Sequence, residues 1–512
     1  MLVAFRVDAS PAIGLGHVKR CLSLAHALAA TGARVVFVAR DLGVDVRGMV
    51  ATAGFEILVL PRPTGSMPSS QVPHGHWAEV DAALDVRQTV AALADRRCDW
   101  LVVDHYAFDA DWHRQVADAT GARLAVIDDV ADRPLHADVL IDHNHCDDHR
   151  RKYGSRLATG TPILGGPRFA LLGPAYGTAP RYVLHAEVRS IGIFMGGADA
   201  GGLSAVAWRA CREVAGFDGP IEIVTTRESP RLGELQRTVA DDAHTTLRLD
   251  LPSLHEFFSR HDLQIGAGGG ATWERCCIGA PSIVVIAADN QAVVADALQS
   301  LEIAEVIPQT VTAFDIGHAL CKLIPDAGTR RAMASRSRQL VDGRGALRAA
   351  LWLLADELVL RPAEVADAEI TYQWRNHEST RAASLDSRPI AWSDHREWWR
   401  NSLANPTRHV WISSVGQVDV GVIRFDDDQD VSVVSLYLDP SLLGLRLGSA
   451  MLRAGELARS RLAPPPARLA ATVRRNNAQS RRLFESAGYQ FVDDEHCSKA
   501  VVAAHTRPGA WK

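Results

Sequence analysis

No stretch of this sequence approaches the ~18 consecutive apolar residues of a membrane-spanning helix, so no membrane partner is expected. Neither sign of charge dominates. Lys and Arg total 55 against 60 Asp and Glu, a formal −5, which argues against binding nucleic acid by bulk charge. The 8 cysteines are Cys21, Cys98, Cys146, Cys211, Cys276, Cys277, Cys321 and Cys497. They form no CxxC pair and are thinly spread, as reduced thiols of a cytoplasm would be. There are no internal repeats and no low-complexity tract. The opening MLVAFRVDASP puts Arg6 and Asp8 where a signal peptide would carry its apolar core, so none is expected. What is present is ordinary for a folded protein: 47% hydrophobic and 22% charged residues, too apolar for disorder. At roughly 150 residues per domain, the length predicts about three to four domains of a cytoplasmic enzyme.

From residue 2 to about 345, short β-branched runs alternate with helical periods. The runs 2–7, 34–39, 100–104 and 123–127 form a first series, with Val18, Cys21, Leu22, Ala25, Leu28 and Ala29 on one helical face between the first two. A second series contains 191–195, 221–225, 263–266 and 283–286. Such alternation predicts βαβ units and mostly parallel sheets, hence an α/β class with two Rossmann-like halves. The His-, Gly- and Pro-rich stretch 142–180 reads as an irregular connection. Beyond residue 358 the pattern changes: 409–414, 418–425 and 432–438 follow as strands without helices between them, predicting an antiparallel α+β domain. The domains are expected at 1–155, 156–345 and 355–512.

Two glycine turns carry the first candidate chemistry. In FRVDASPAIGLGHVKRC a strand ends at Val7, a loop holds Gly14 and Gly16, and a helix starts at His17. Glycines let backbone approach a ligand, and a helix start offers N–H groups to an anion. That positive end disfavours imidazolium and suits His17 to act as a neutral base. In DLQIGAGGGATWERCC a second loop, 266–270, precedes a helix that carries Glu274 one turn in, where a carboxylate could accept from ribose hydroxyls. The run 142–149 (DHNHCDDH) is rich in potential metal ligands, but adjacent ligands in a loop arise readily from composition, and no metal is expected. Asp128-Asp129 could suggest a glycosidase pair, yet successive strand residues point to opposite faces, so a strand-end or turn role is expected.

These segments, with DHYAF at 104–108, FALLGPAY at 169–176 and FMGGAD at 194–199, resemble the UDP-sugar hydrolase of the pseudaminic-acid pathway over residues 3 to about 340. The resemblance implies a GT-B fold and release of UDP from a 2,4-diacetamido-2,4,6-trideoxy-altropyranose. It implies His17 as the base for water, with Asp8, Gly16 and Tyr106 around the sugar, and Gly269, Gly270, Thr272, Glu274 and Asn290 on UDP or the sugar near it. A positioned water, a base and anion stabilisation suffice for so good a leaving group.

The C-terminal LYLDPSLLGLRLGSAML and NNAQSRRLFESAGY resemble the GNAT acetyltransferases. The resemblance implies acetyl-CoA as co-substrate, held by Leu438, Gly444, Arg446, Gly448, Ser449, Asn477, Ser480 and Phe484. Three positions depart from the family pattern. Leu443 and Arg446 stand where an Arg or Gln and a Gly are usual, and Phe484 replaces a tyrosine that protonates the leaving thiolate. Trp392, Trp398 and Trp399 read equally as an acceptor wall or as core. In the pathway that the first part resembles, a GNAT enzyme acetylates the 4-amino UDP-sugar that the hydrolase then cleaves. The expected function is therefore bifunctional, N-acetylation followed by hydrolysis, with a GT-B glycosyltransferase or a catalytically inactive nucleotide-sugar-binding module as alternatives.

Overall fold

The computed structural model describes residues 1–64, 71–197, 199, 201–287, 291–308 and 311–501. The run LVAFRV is buried at all six positions. A strand without polar alternation belongs in the middle of a parallel sheet covered on both faces, and it lies there. The first sheet contains β1 (Leu2–Val7), β2 (Arg34–Arg40), β3 (Glu56–Leu60), β4 (Trp100–Asp104), β5 (Arg123–Ile127), β6 (Val139–Asp142) and β7 (Ile163–Gly165). Their order is β3-β2-β1-β4-β5-β6-β7, and all neighbours are parallel. The stretch 142–180 is not merely irregular, since it supplies β7 and short helices at His149–Tyr153 and Ala175–Thr178. Three-residue strands and single-turn helices are too short to display a period.

The second sheet contains β8 (Ile191–Phe194), β9 (Ile221–Thr225), β10 (Thr245–Leu249), β11 (Leu263–Ala267), β12 (Ser282–Val285) and β13 (Glu305–Ile307). It is also parallel, in the order β10-β9-β8-β11-β12-β13. Separate apolar clusters around Ile193, Ile223 and Ile283 and around Phe258, Trp273 and Val284 cover its two faces. Each sheet reverses its strand order at one place, between β1 and β4 in the first and between β8 and β11 in the second. Crevices at the carboxyl ends of such strand pairs are where doubly wound sheets bind ligands. Both glycine turns lie there.

The third sheet, in a second compact unit, contains β14 (Val359–Pro362), β15 (Arg408–Val415), β16 (Val418–Asp428), β17 (Val431–Leu438), β18 (Arg468–Thr472), β19 (Gln490–Phe491) and β20 (His496–Ala500). Its order is β14-β15-β16-β17-β18-β20-β19. All its pairings are antiparallel except β17 with β18. That parallel pairing joins only residues 431–433 to 468–470 and then stops, although β17 runs on to Leu438. The two strands splay, and a slot opens between them. No described helix is long and apolar enough to cross a membrane.

Candidate functional site

Val7 at the end of β1 pairs with Asp104 at the end of β4, so the loop after β1 and the Asp104 side chain meet at the first switch point. The helix Gly16–Ala30 carries His17 into that crevice. His17 Nδ1 lies 2.6 Å from Asp104 Oδ1. A carboxylate this close requires the proton on Nδ1 and leaves Nε2 as the accepting nitrogen. Arg20, one turn on, grips the same carboxylate through Nε and Nη2, both at 2.6 Å. Burial would push the Asp104 carboxyl up, but Arg20 and His17 hold it well below the usual carboxylate range.

Tyr106 packs edge-on to the His17 imidazole, 4.7 Å between centroids, and its hydroxyl donates to Asp129. Trp77 stacks on the phenol at 5.6 Å and also meets the imidazole edge-on at 6.0 Å. Asp129 also faces Arg20 Nη1 at 3.4 Å and accepts from Asn144 Nδ2 at 3.0 Å. Asp128 and Asp129 lie past the end of β5 at Ile127, so the opposite-faces rule for strand residues does not reach them, and the turn role belongs to Asp128 alone. Asp128 caps the amide of Ala131 and binds Arg133, whereas Asp129 joins the His17 cluster. Asp104 and Arg20 carry no expectation from the sequence, although Asp104 opens the DHYAF motif, and for Asp129 only a strand-end or turn role is expected.

Asp8 departs from its expected place beside the sugar. It has no exposed surface, pairs with Arg6 Nη1 at 2.5 Å and accepts from the Arg40 amide at 2.7 Å. Arg6 in turn reaches Asp85, which Arg40 also binds. A buried Arg in a central strand has to be neutralised, and Asp8 and Asp85 do so beneath the loop. Two side chains of the metal-like run 142–149 are likewise engaged with neighbours. Asp142 pairs with Lys152 at 2.7 Å, and His149 Nε2 lies 3.1 Å from the Asn144 carbonyl oxygen. Among the described residues, no group of three or more His, Cys, Asp or Glu side chains is disposed to hold a metal.

At the second switch point the chain after β11 turns through Gly268–Gly270 into the helix Ala271–Ile278. No side chain caps that helix. Gly196-Gly197 follows the neighbouring β8, and Gln291 comes within 3.8 Å of where a side chain on Gly269 would begin. Gly270 is exposed with open space around it, and Thr272 is buried. Glu274 accepts from the Tyr176 hydroxyl at 2.7 Å, and burial lifts its carboxyl above the usual range. The positive charge of Lys19, on the His17 helix, opposes that rise. Asn290 lies outside the described residues.

In the third sheet, the slot between β17 and β18 opens into a cavity of about 660 Å3. Its walls include Val433–Tyr437 of β17, Thr472–Arg474, and Asn477, Ser480 and Phe484 of the helix that follows. Asn477 caps the helix Ala478–Ser486 by accepting from the Ser480 amide. Arg375, Arg424, His395 and Trp398 line the cavity too, whereas Trp399 is core, its indole donating to the Glu364 carbonyl. Burial lowers both arginines, and Arg375 Nη1 is buried without a hydrogen-bond partner.

Gly444, at φ 81°, and Arg446, at φ 64°, shape the turn into the helix Leu447–Arg461. Arg446 thus holds the left-handed conformation that the usual glycine would adopt freely. Its guanidinium lies over the Trp352 ring, 4.8 Å from the centroid, and 3.5 Å from Asp356. Gly448 sits where a side chain would contact Leu438 and Leu483, so the turn packs directly on β17 and on the Phe484 helix. Ser449 follows in the first turn.

Residues 357–490 match a family model described as an acetyltransferase (GNAT) domain. The spore coat polysaccharide biosynthesis protein SpsG of Bacillus subtilis is 22% identical over 265 residues, covering 50% of this chain and 76% of the relative. Among solved structures, MurG of Acinetobacter baumannii aligns at 15% identity and TM-score 0.48, over 68% of this chain and 97% of that one. The aminoglycoside acetyltransferase AAC(6')-Ib, solved with acetyl-CoA, aligns at 18% identity and TM-score 0.26, over 28% of this chain and 93% of that one. Two doubly wound parallel sheets, similar to SpsG over half of the chain, are thus followed by a domain that matches the GNAT acetyltransferase model.

Proposed function

We propose that this chain performs two successive steps on one nucleotide sugar. Its C-terminal domain (355–512) transfers the acetyl group of acetyl-CoA to the 4-amino group of a UDP-sugar. The two Rossmann halves (1–155 and 156–345) then hydrolyse UDP from UDP-2,4-diacetamido-2,4,6-trideoxy-β-L-altropyranose, a precursor of a pseudaminic-type nonulosonic acid. The observation that carries the hydrolase reading is the His17–Asp104 contact. With Nδ1–H held by the carboxylate, Nε2 is the lone pair that takes a proton from water as it attacks the anomeric carbon. Tyr106 and Gly16 border that position. Gly269, Gly270, Thr272, Glu274 and Asn290 are assigned to UDP, whose diphosphate suits the uncapped helix start at Ala271. Asp8 is assigned a supporting role under the loop.

For the acetyltransferase, the splay of β17 from β18 supplies the entry for the acetyl-pantetheine arm. Gly444, Arg446, Gly448 and Ser449 are assigned to the pyrophosphate through their backbone, Leu438, Asn477 and Ser480 to the arm, and Phe484 to the wall beside the thioester. AAC(6')-Ib binds acetyl-CoA, and SpsG belongs to polysaccharide biosynthesis; both support this pairing. The test is to incubate the protein with candidate UDP-sugars and no acceptor. UDP released with an equal amount of free sugar is the expected result. UDP released only when a sugar acceptor is added identifies a glycosyltransferase, and tight binding without turnover identifies a nucleotide-sugar-binding module.

A further inference from the structure

One side chain joins the first Rossmann half to the second at the level of the His17 cluster. Asn144, two residues past the end of β6, donates from Nδ2 to Asp129 Oδ2 at 3.0 Å and accepts at Oδ1 from Trp273 Nε1 at 2.9 Å. The chemistry fixes this orientation. An indole N–H only donates and a carboxylate only accepts, so the group between them has to do both, and a primary amide does. Trp273 is 1% exposed and stands in the helix Ala271–Ile278 between Thr272 and Glu274. On the other side, Asp129 faces Arg20, Arg20 grips Asp104, and Asp104 holds His17. A continuous polar chain thus runs from the nucleotide-loop helix to the imidazole.

We infer that Asn144 is a positioning residue that couples the seating of the Trp273 helix to the orientation of His17 through Asp129, Arg20 and Asp104. The inference rests on the hydrolase reading for its effect on turnover, but not for its effect on His17 itself. When the Trp273 helix shifts, Asn144 loses its donor and Asp129 loses its ordered partner. Arg20 is then shared differently between Asp129 and Asp104.

The experiment uses the full chain labelled with 15N-histidine, as wild type, Trp273→Phe, Asn144→Ala and the double variant. Trp273→Phe keeps a buried though smaller ring and removes the donor, and Asn144 is partly exposed, so both variants are expected to fold. The His17 imidazole resonance is expected to move in both single variants, although neither residue touches it. UDP release should fall roughly 2- to 30-fold while the Kd for UDP stays within about threefold, and the double variant should be no worse than Asn144→Ala alone. An unmoved His17 resonance, or losses that multiply in the double variant, overturns the coupling. A wild-type protein that frees no UDP overturns the hydrolase reading instead, and the His17 resonance then decides the coupling alone.

Discussion

His17 Nδ1 and Asp104 Oδ1, 87 residues apart in the chain, lie 2.6 Å apart across the switch point of the first sheet. The carboxylate decides which imidazole nitrogen is free, and on the hydrolase reading that nitrogen is the base. His17→Asn is expected to cut hydrolysis by about 10²–10⁴, the usual contribution of a positioned general base. Asp104→Asn keeps the size but offers Nδ1 an amide that can present its N–H in place of an acceptor, so a loss within that same order is expected. UDP affinity, measured by calorimetry, should hardly change in either. Near-wild-type turnover in His17→Asn would remove the imidazole from the mechanism.

Glu274 tests the other half. A carboxylate on ribose hydroxyls makes charge-assisted bonds of roughly 1.5–3 kcal/mol, so Glu274→Ala should weaken UDP binding by about 10- to 150-fold. Its effect on the rate at saturation should be smaller. Tyr176 loses its acceptor in this variant, so Tyr176→Phe is the control. A Kd changed equally by both would assign Glu274 to packing, and an unchanged Kd would remove the carboxylate from the nucleotide.

Acid stability follows from the same cluster. Burial would raise Asp129, but Arg20, His143 and the Tyr106 hydroxyl outweigh it and bring its pKa to about 2; Asp104 is also held low. Their folded values lie below the roughly 3.9 of an unfolded aspartate, so the folded state binds fewer protons. Their stabilisation is complete above about pH 4 and is lost as pH falls toward about 2. Melting temperature against pH should drop across that window, and Asp129→Asn should flatten the drop while lowering stability at pH 7. An identical profile in the variant would assign acid unfolding to other carboxylates.

The sequence makes the parallel sheets and both glycine turns legible because each depends on local pattern: β-branched runs, a glycine loop and an amphipathic helix within 30 residues. It does not reveal that β4 lies beside β1 or that β11 lies beside β8. Strand order is non-local, so Asp104 stays invisible as the partner of His17 even though its motif is conspicuous. Asp8 misleads for a related reason. Nothing in FRVDASP shows that Arg6 is buried and needs a counter-charge, which Asp8 supplies with Asp85. In the third domain the turn glycines are legible, whereas the accommodation of Arg446 depends on Trp352 and Asp356, some 90 residues earlier.

The acceptor wall is tested through Arg375, whose Nη1 is buried without a partner at the cavity. If it meets a diphosphate, Arg375→Gln should raise the KM for a 4-amino UDP-sugar by about tenfold or more, since hydrogen bonds to charged groups contribute roughly 1.5–3 kcal/mol. The KM for acetyl-CoA should stay unchanged. Equal rises for both substrates would assign Arg375 to the fold of the cavity.

Phe484 tests how the proposed acetyl transfer ends. It is 5% exposed, packs edge-on against Tyr489 at 4.9 Å between centroids, and lines the cavity with Asn477 and Ser480. A phenyl ring cannot donate a proton to the thiolate of CoA, so release relies on water or on another donor in the wall, of which the Ser480 hydroxyl is the nearest in sequence. Phe484→Tyr adds one hydroxyl to a ring that lines the cavity. A phenol at hydrogen-bond reach of the sulfur acts as a general acid, and the rate of CoA release with a 4-amino UDP-sugar should rise, by up to about 10²-fold where thiolate departure limits the wild type. Acetyl-CoA affinity should stay the same, because the pyrophosphate turn at Gly444–Gly448 is untouched. A Phe484→Tyr protein that releases CoA more slowly than wild type shows that another group already serves as the acid. Ser480→Ala then identifies it: a further loss names the serine, and an unchanged rate leaves the proton to water. If wild type and Phe484→Tyr both bind acetyl-CoA and neither releases CoA, the C-terminal domain is a binding module, and the two-step reading fails at its first step.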